Sequence, residues 1–432
     1  MSGIWGDTSH FLEWLSKVGI ACDSNTHLPR RVYRRYLSYL RYEVIYKALH
    51  NGIYLSIVED NVKSIIRGAD SRFSLMYGND QSSDYDLCFL CTGHNDPEDL
   101  YKLNETRGYF TNAYISPSPA LSSGKSAAVI GSGLSAVDAA LHLLNESRCS
   151  TVRCFSRSGF FPKIQPIDEL PAPAAFKSAV VASIRSVNHV TAAHLVHTIN
   201  NALYHYYEGP ERLVSQQEEV YRSRSGIEDL QSNLHEALSS RRNIYTYLKG
   251  ITEVVCDAWN KMQDSEKRIF FNNYLSSWMR NRHAMPLINA QKLNALAATG
   301  RISITSGIIR VEHSDDHFII AAAERSWHAE LVVNAIGPSY DARTSNLYQR
   351  LVGNGLARFN EFGGVDCDFA DGRVISSHGN PQRDLIAVGP ITKGTHFYVA
   401  AIDINLTRIE AALDGVFCQA IVRDFAEARA TL

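Results

Sequence analysis

A chain of 432 residues with 45% hydrophobic and 20% charged residues can build two or three ordinary cores, and its composition is not that of a disordered chain. Its 43 Lys and Arg nearly balance 45 Asp and Glu, a formal net charge of -2, so nothing draws it in general to nucleic acid or anionic lipid. No stretch is as long and apolar as a membrane span, and Met1 to Asp7 lacks the basic and apolar regions of a signal peptide. A cytoplasmic protein with small-molecule ligands is expected.

The segment Thr26 to Leu40 has Pro29 near its start and apolar residues at helical spacing, which predicts an amphipathic helix whose arginines, Arg30, Arg31, Arg34 and Arg35, form a solvated flank. Tyr54 to Val58, Val62 to Ile66 and Phe73 to Tyr77 are short runs separated by turn residues and read as an antiparallel meander. The run from Tyr85 that ends in Thr92-Gly93-His94 reads as a strand buried on both faces and stopping at a close backbone approach. Cys88 and Cys91 lie inside this apolar run and read as core thiols rather than a zinc or redox pair.

Ser126 to Ile130 is a second short apolar strand, followed by Gly131-Ser132-Gly133-Leu134-Ser135-Ala136 and an apolar-faced helix. A glycine turn between a strand and a helix is the context that a dinucleotide fingerprint requires. Gly131 permits the turn, Gly133 lets backbone approach a pyrophosphate, and Ala136 lets the helix lie close on its strand. The phosphates then meet free N–H groups at the helix start, those of Leu134 and Ser135 among them. The next strand ends in Ser156-Arg157, where an NAD enzyme would carry a carboxylate for the ribose hydroxyls. A hydroxyl and a guanidinium suit a 2′-phosphate, so NADPH is the expected nucleotide.

From about 178 to 278 the pattern is helical and polar, for example Ile227, Leu230, Leu234 and Leu238, and reads as a helical insertion. Ile302 to Ile304, Ile308 to Glu312 and Phe318 to Ala322 then lead into Ala329 to Pro338. This repeats the earlier order of a meander followed by a buried strand that ends at glycine, here Gly337, and it predicts a second nucleotide-binding domain of related plan. Asp384 to Ile391 reads as one more buried strand, followed by a helix from about Ala400 to Arg429. The 16 histidines show no pair at ligand spacing beside a carboxylate or thiolate set, so no metal site is expected.

Together these segments resemble the bacterial FAD/NAD(P)-binding flavoproteins related to flavin monooxygenases and N-hydroxylating enzymes. The residues that carry the likeness are Pro29-Arg30-Arg31, Leu90 to His94, Val129 to Asp138, Ser156 to Pro162, Trp278 to Pro286, Asn334 to Pro338 and Val388 to Gly394. The resemblance implies an α/β chain with two Rossmann-like dinucleotide-binding domains, β-meanders and the helical insertion. Residues 1–115 would start an FAD-type domain, 116–340 would form the NAD(P)-binding domain, and 341–432 would return to the first. It implies that Thr92, Gly93, Gly389 and Pro390 approach FAD, that an arginine near Arg30 reaches it, and that Arg280 to His283 lie towards the cleft. Arg282, His283 and His396 are then the candidate catalytic groups on the substrate side.

The implied activity is transfer of hydride from NADPH to FAD, then to O2 or a small organic substrate, as in a hydroxylase. Relatives begin with a strand and a first glycine fingerprint for FAD, and nothing ahead of Trp5 corresponds to it, so the first domain reads as truncated at its N-terminus. A start assigned too far downstream, a partner chain that supplies the unit, and a remnant that no longer binds flavin all remain open. The last two make a non-catalytic NADP-binding subunit the rival reading.

Overall fold

Two helices open the chain, His10–Lys17 (α1) and Arg30–His50 (α2). They pack through an aromatic cluster in which Trp14, Leu15 and Tyr36 are buried and Phe11 and Tyr33 are partly so, while the arginines at the start of α2 stay exposed. Strands Val62–Arg67 (β1), Phe73–Tyr77 (β2) and Gln81–Tyr85 (β3) follow as an antiparallel meander, and then Cys88–Leu90 (β4). The structure is a computed structural model and describes residues 2–430 apart from 24–25, 80, 116, 216–224 and 323–324. Tyr54 to Val58, expected as the first meander strand, is no strand, and all five residues are exposed. The third strand is the polar Gln81–Tyr85, which lacks any apolar alternation and is recruited by its ladder with β2.

The chain then runs through Tyr109–Phe110 (β5), the short helix Pro119–Ser122 (α3), Ser126–Ile130 (β6), Leu134–Asn145 (α4) and Thr151–Ser156 (β7). The helical insertion comprises Ala174–Arg185 (α5), Ala192–Tyr206 (α6), Gly226–Ser239 (α7), Ile244–Gly250 (α8), Thr252–Lys261 (α9), Asp264–Asn273 (α10) and Leu275–Arg282 (α11), with Leu287–Ala298 (α12) after it. Ser225 caps α7 in a reciprocal pair with Glu228, which fixes where that helix begins. Strands Ile302–Ser306 (β8), Ile308–Ser314 (β9), His317–Ala322 (β10), Ser326–Ala329 (β11) and Leu331–Asn334 (β12) come next. Asn346–Gly353 (α13), Arg373–Ile375 (β13), Pro381–Ala387 (β14), Lys393–His396 (α14) and Ile402–Ala430 (α15) complete the order.

These elements form two units, Met1–Asn95 with Tyr340–Leu432, and Asp96–Ser339. The first boundary therefore falls at Asn95, ahead of the expected 115, because β5 pairs in parallel with β12 and takes its approach segment into the second unit. In that unit β5, β12, β6, β7 and β8 lie in this order, all parallel. Ile302–Ser306, expected in the meander, is the edge of this sheet, and the meander is β9 to β11.

Alternate residues of β6 face opposite layers, as strand pleating requires. Ala127 and Val129 pack with Ala136, Ala140 and Leu144 of α4 and with Leu293 of α12, whereas Ala128 and Ile130 pack with Phe318, Ile320 and Ala329 of the meander. The near-continuous apolar reading of β6 follows from this cover on both faces.

In the first unit β14 lies between β13, antiparallel, and β4, parallel. Its core gathers Ile65, Phe73, Cys88, Leu90, Tyr348, Leu351, Val374 and Leu385. Of the two cysteines read as core thiols, Cys88 is buried but Cys91, one residue past the end of β4, is exposed. No described helix is long and apolar enough to cross a membrane.

Candidate functional site

β6 is joined by α4 to its parallel neighbour β7 on one side and pairs with β12 on the other, so the glycine turn after Ile130 sits where the strand order reverses. At such a switch point the helix and loops diverge and leave a crevice beyond the carboxyl ends of the strands. Gly131 takes φ +127°, and a Cβ placed on it would lie 2.4 Å from the carbonyl oxygen of Ala335 at the end of β12. Only glycine fits there. A Cβ on Gly133 would meet nothing within 4 Å, so the turn opens onto free space at this residue.

α4 starts immediately behind that space. Its N-cap is Gly133, no side chain caps it, and its first turn holds no acidic residue. The uncapped N–H groups and the positive end of the helix dipole are thus available to an anion. Ala136 is fully buried against the sheet, and Ser132, Leu134 and Ser135 line the turn half-buried. Tyr114 Oη lies 3.5 Å from Ser135 Oγ, a neighbour that the motif alone does not predict.

Ser156 and Arg157 leave β7 beside this turn. Ser156 Oγ accepts the Gly159 N–H at 3.0 Å, which holds the loop after the strand and leaves the hydroxyl proton for a further acceptor. Arg157 is exposed and has no ion-pair partner among the described residues. Gly337, after β12, has φ +95° and also faces open space. A fingerprint glycine, an uncapped helix start and a free guanidinium at one sheet edge fit a dinucleotide with an additional phosphate. A cavity of about 190 Å³ lies elsewhere, at the amino ends of β6 and β7, where Thr151, Arg153 and Trp327 line it, so it is no part of this site.

In the first unit β4 and β14 run parallel with Leu90 opposite Ala387, and their carboxyl ends carry Thr92-Gly93 and Gly389-Pro390 side by side. Gly93 at φ +72° and Gly389 at φ +83° both face open space. Thr92 Oγ1 and Tyr348 Oη are 2.6 Å apart, and burial pushes the Tyr348 phenol up to about 12. These turns fit one part of a flavin. Among the described residues the unit has no strand, glycine turn and helix in sequence to receive its pyrophosphate. Arg30 is exposed at the start of α2.

The candidate catalytic residues belong to different units, Arg282 and His283 to the second and His396 to the first. His283 caps α11, and Arg282 Nε donates to Thr252 Oγ1 at 2.6 Å. Arg280 is buried in the second unit, where Arg280 Nη2 meets Asp229 Oδ2 at 2.6 Å. His396 is 3% exposed in the first unit, with Nδ1 2.9 Å from Thr392 Oγ1 and Nε2 3.1 Å from the Phe369 carbonyl. Both ring nitrogens are therefore occupied within the fold. Burial of Cys88 pushes its thiol up to about 11, which keeps it protonated and unsuited to disulfide exchange with Cys91.

The parallel sheet, its switch point and the glycine turn define the second unit as a Rossmann-like dinucleotide-binding domain. Residues 1–95 match a family described as FAD-NAD(P)-binding. No curated protein matches the sequence. Among solved structures, an ornithine N-hydroxylase of Kutzneria sp. 744, with reduced FAD, NADP+ and L-ornithine, matches with a TM-score of 0.52 at 12% identity, covering 96% of this chain and 85% of that one. An ornithine hydroxylase of Pseudomonas aeruginosa has a TM-score of 0.48 at 13% identity, covering 94% and 82%. A bacillithiol disulfide reductase of Bacillus cereus has 0.46 at 11%, covering 96% and 85%. The first of these likenesses shows the fold, an α/β chain with two Rossmann-like domains.

Proposed function

We propose that this chain is an NADPH- and FAD-dependent oxidoreductase of the hydroxylase kind. The observation that carries the reading is the carboxyl edge of the parallel sheet in the second unit, where β6 leads through open space at Gly133 into the uncapped start of α4 and the neighbouring β7 ends at the exposed Arg157. Gly131 and Gly133 admit the pyrophosphate, α4 stabilises its charge, and Ser156 and Arg157 hold the 2′-phosphate. Thr92, Gly93, Gly389 and Pro390 offer the backbone approach for flavin in the first unit, which supports the match of residues 1–95 to an FAD-NAD(P)-binding family.

A bound flavin would supply the redox chemistry that links NADPH to O2 or a small organic substrate. The chain's part is to hold the two dinucleotides and shield them from water. Arg282 and His283 are the groups proposed for the substrate side. Loss of turnover with NADPH binding intact in His283→Ala supports that role, and full turnover removes it.

The decisive experiment is the visible absorbance of the purified chain with added FAD, then NADPH, without oxygen. Flavin bands that bleach on adding NADPH support the reading. No flavin uptake, with NADPH bound in calorimetry, overturns it in favour of a second reading, an NADP-binding subunit whose flavin site is lost or completed by a partner chain. One observation favours that second reading: among the described residues, β4 is hydrogen-bonded on one side only, and an unpaired strand edge is a template for another strand.

A further inference from the structure

The loop that carries Ser156 and Arg157 runs on through Phe160, Phe161 and Pro162 to Lys163, whose side chain is only 2% exposed. An ammonium taken out of water to that extent needs partners, since the penalty for leaving it unpaired is several kcal/mol. Lys163 Nζ lies 2.8 Å from Glu211 Oε1 and 2.6 Å from Asn233 Oδ1. Asn233 Nδ2 donates to Asp229 Oδ2 at 2.9 Å, and the same oxygen accepts from Arg280 Nη2 at 2.6 Å. The Arg280 guanidinium in turn lies 4.8 Å from the centre of the Phe160 ring. Both ends of the segment Phe160 to Lys163 are thus gripped by the helical insertion.

At the other end of this network stands Tyr207, 6% exposed, with its phenolic oxygen 2.6 Å from Glu211 Oε2 and 2.8 Å from Glu236 Oε1. A phenol has one proton and donates one hydrogen bond. If both glutamates were ionised, one of these two short contacts would join two oxygens with no hydrogen between them. One carboxyl must therefore carry a proton. Glu211 is the anion, because its second oxygen is the counter-ion of Lys163.

We propose that Glu236 is protonated and donates to Tyr207 Oη, so that Glu236, Tyr207, Glu211 and Lys163 form one ordered hydrogen-bonded chain that positions the nucleotide loop after β7. The clause on the nucleotide rests on the function proposed above, whereas the proton on Glu236 does not. Burial and the charge of Glu211 both raise the Glu236 carboxyl. Burial would also raise Glu211, but the charge and hydrogen bond of Lys163 outweigh it and hold that carboxyl low. The groups that face Glu236 are Tyr207 and Glu211 from the segment after α6 and Lys163 from the β7 loop. Asp229 and Asn233 of α7 and Arg280 of α11 lie further along the network, and the Tyr247 ring of α8 packs 5.3 Å from that of Tyr207.

A glutamate whose folded pKa is raised contributes stability that is fully present below its unfolded value of about 4.3 and is lost as pH rises through the folded value. Ionising Glu236 breaks the chain at Tyr207. Glu236→Gln keeps a donor in the same place but cannot ionise. Thermal unfolding of wild type and E236Q without nucleotide, from about pH 5 to about pH 9, tests the proton. The melting temperature of the wild type is expected to fall relative to E236Q as pH rises, and parallel curves overturn the proposal.

NADPH titration by calorimetry over the same range tests the positioning. Wild-type affinity is expected to fall about tenfold along the same pH limb, with E236Q flat, and identical affinity profiles overturn that half. If the wild type binds no NADPH at any pH, the proposed function fails while the melting curves still decide the proton. Infrared spectra of the wild type alone guard against a variant that does not fold. A protonated-carboxyl band at neutral pH that bleaches on raising the pH supports the proposal, and its absence overturns it.

Discussion

Gly131 and Gly133 stand two residues apart and answer different constraints, which makes them separable by mutation. At Gly131 a Cβ would sit 2.4 Å from backbone in a left-handed conformation, so Gly131→Ala is expected to destabilise the second unit by about 1–3 kcal/mol, read as a lower melting temperature. At Gly133 the space is open, so Gly133→Ala is expected to melt like the wild type yet lose NADPH affinity in calorimetry. Arg157→Ala removes a charge-assisted contact worth about 1.5–3 kcal/mol, which weakens NADPH binding at least about tenfold and leaves NADH nearly unchanged. An unchanged preference for NADPH in that variant removes Arg157 from the site.

His396 belongs to the same scale. Burial and the charge of Arg408 push its imidazole down to about 4, so the folded first unit favours the neutral ring. Its contribution, on the order of 3 kcal/mol, is present above an unfolded value of about 6.5 and is lost as pH falls towards the folded one. His396→Asn is expected to remove this component from melting curves taken between about pH 7 and pH 4.5.

At the scale of elements, α4 is a packing helix and, in the proposed function, also an anion site, and these two demands conflict at its first turn. An acidic residue there would stabilise an isolated helix by about 0.3–1 kcal/mol through the dipole, yet the turn carries none. Ser135→Asp is therefore expected to raise thermal stability slightly while lowering NADPH affinity, and a rise in both would show that no anion uses this end of the helix. The pairing of β4 with β14 is the counterpart in the first unit. It brings Thr92-Gly93 beside Gly389-Pro390, segments far apart in the chain, through a ladder of three residue pairs.

Across the whole chain, the second unit is closed on both faces of its sheet, whereas the first exposes much apolar surface on α2 and after it. Tyr42 is 71% exposed, Tyr46 68%, Leu49 65% and Tyr54 90%. A protein that binds FAD in its folded form gains stability by mass action, about 2.7 kcal/mol when flavin is present at roughly a hundred times its dissociation constant. Melting curves with and without FAD are expected to differ by that order if the first unit takes flavin, and coincident curves favour the NADP-binding subunit.

Much of the second unit's strand, glycine turn and helix, where the nucleotide is proposed to bind, was legible in the sequence, because its constraints are local. Apolar residues on a strand covered from both sides, a glycine turn, a helical period with a small Ala136, and Ser156-Arg157 at a strand end all lie within some thirty residues of chain. Other features needed the tertiary structure. A polar strand such as Gln81–Tyr85 has no period to betray it, and Ile302–Ser306 reads equally well as meander or parallel edge until its neighbour is known. The partners of Lys163 lie more than forty positions away in the chain: Glu211 and, through it, Tyr207 in the segment after α6, and Asn233 and Glu236 on α7. Periodicity and turn chemistry record what each segment asks of its own backbone, so the sequence by itself determined the βαβ turn and the residues it places at the sheet's edge. Which buried charges meet, and which of them must keep a proton, was decided only when the packed helices removed water from around them.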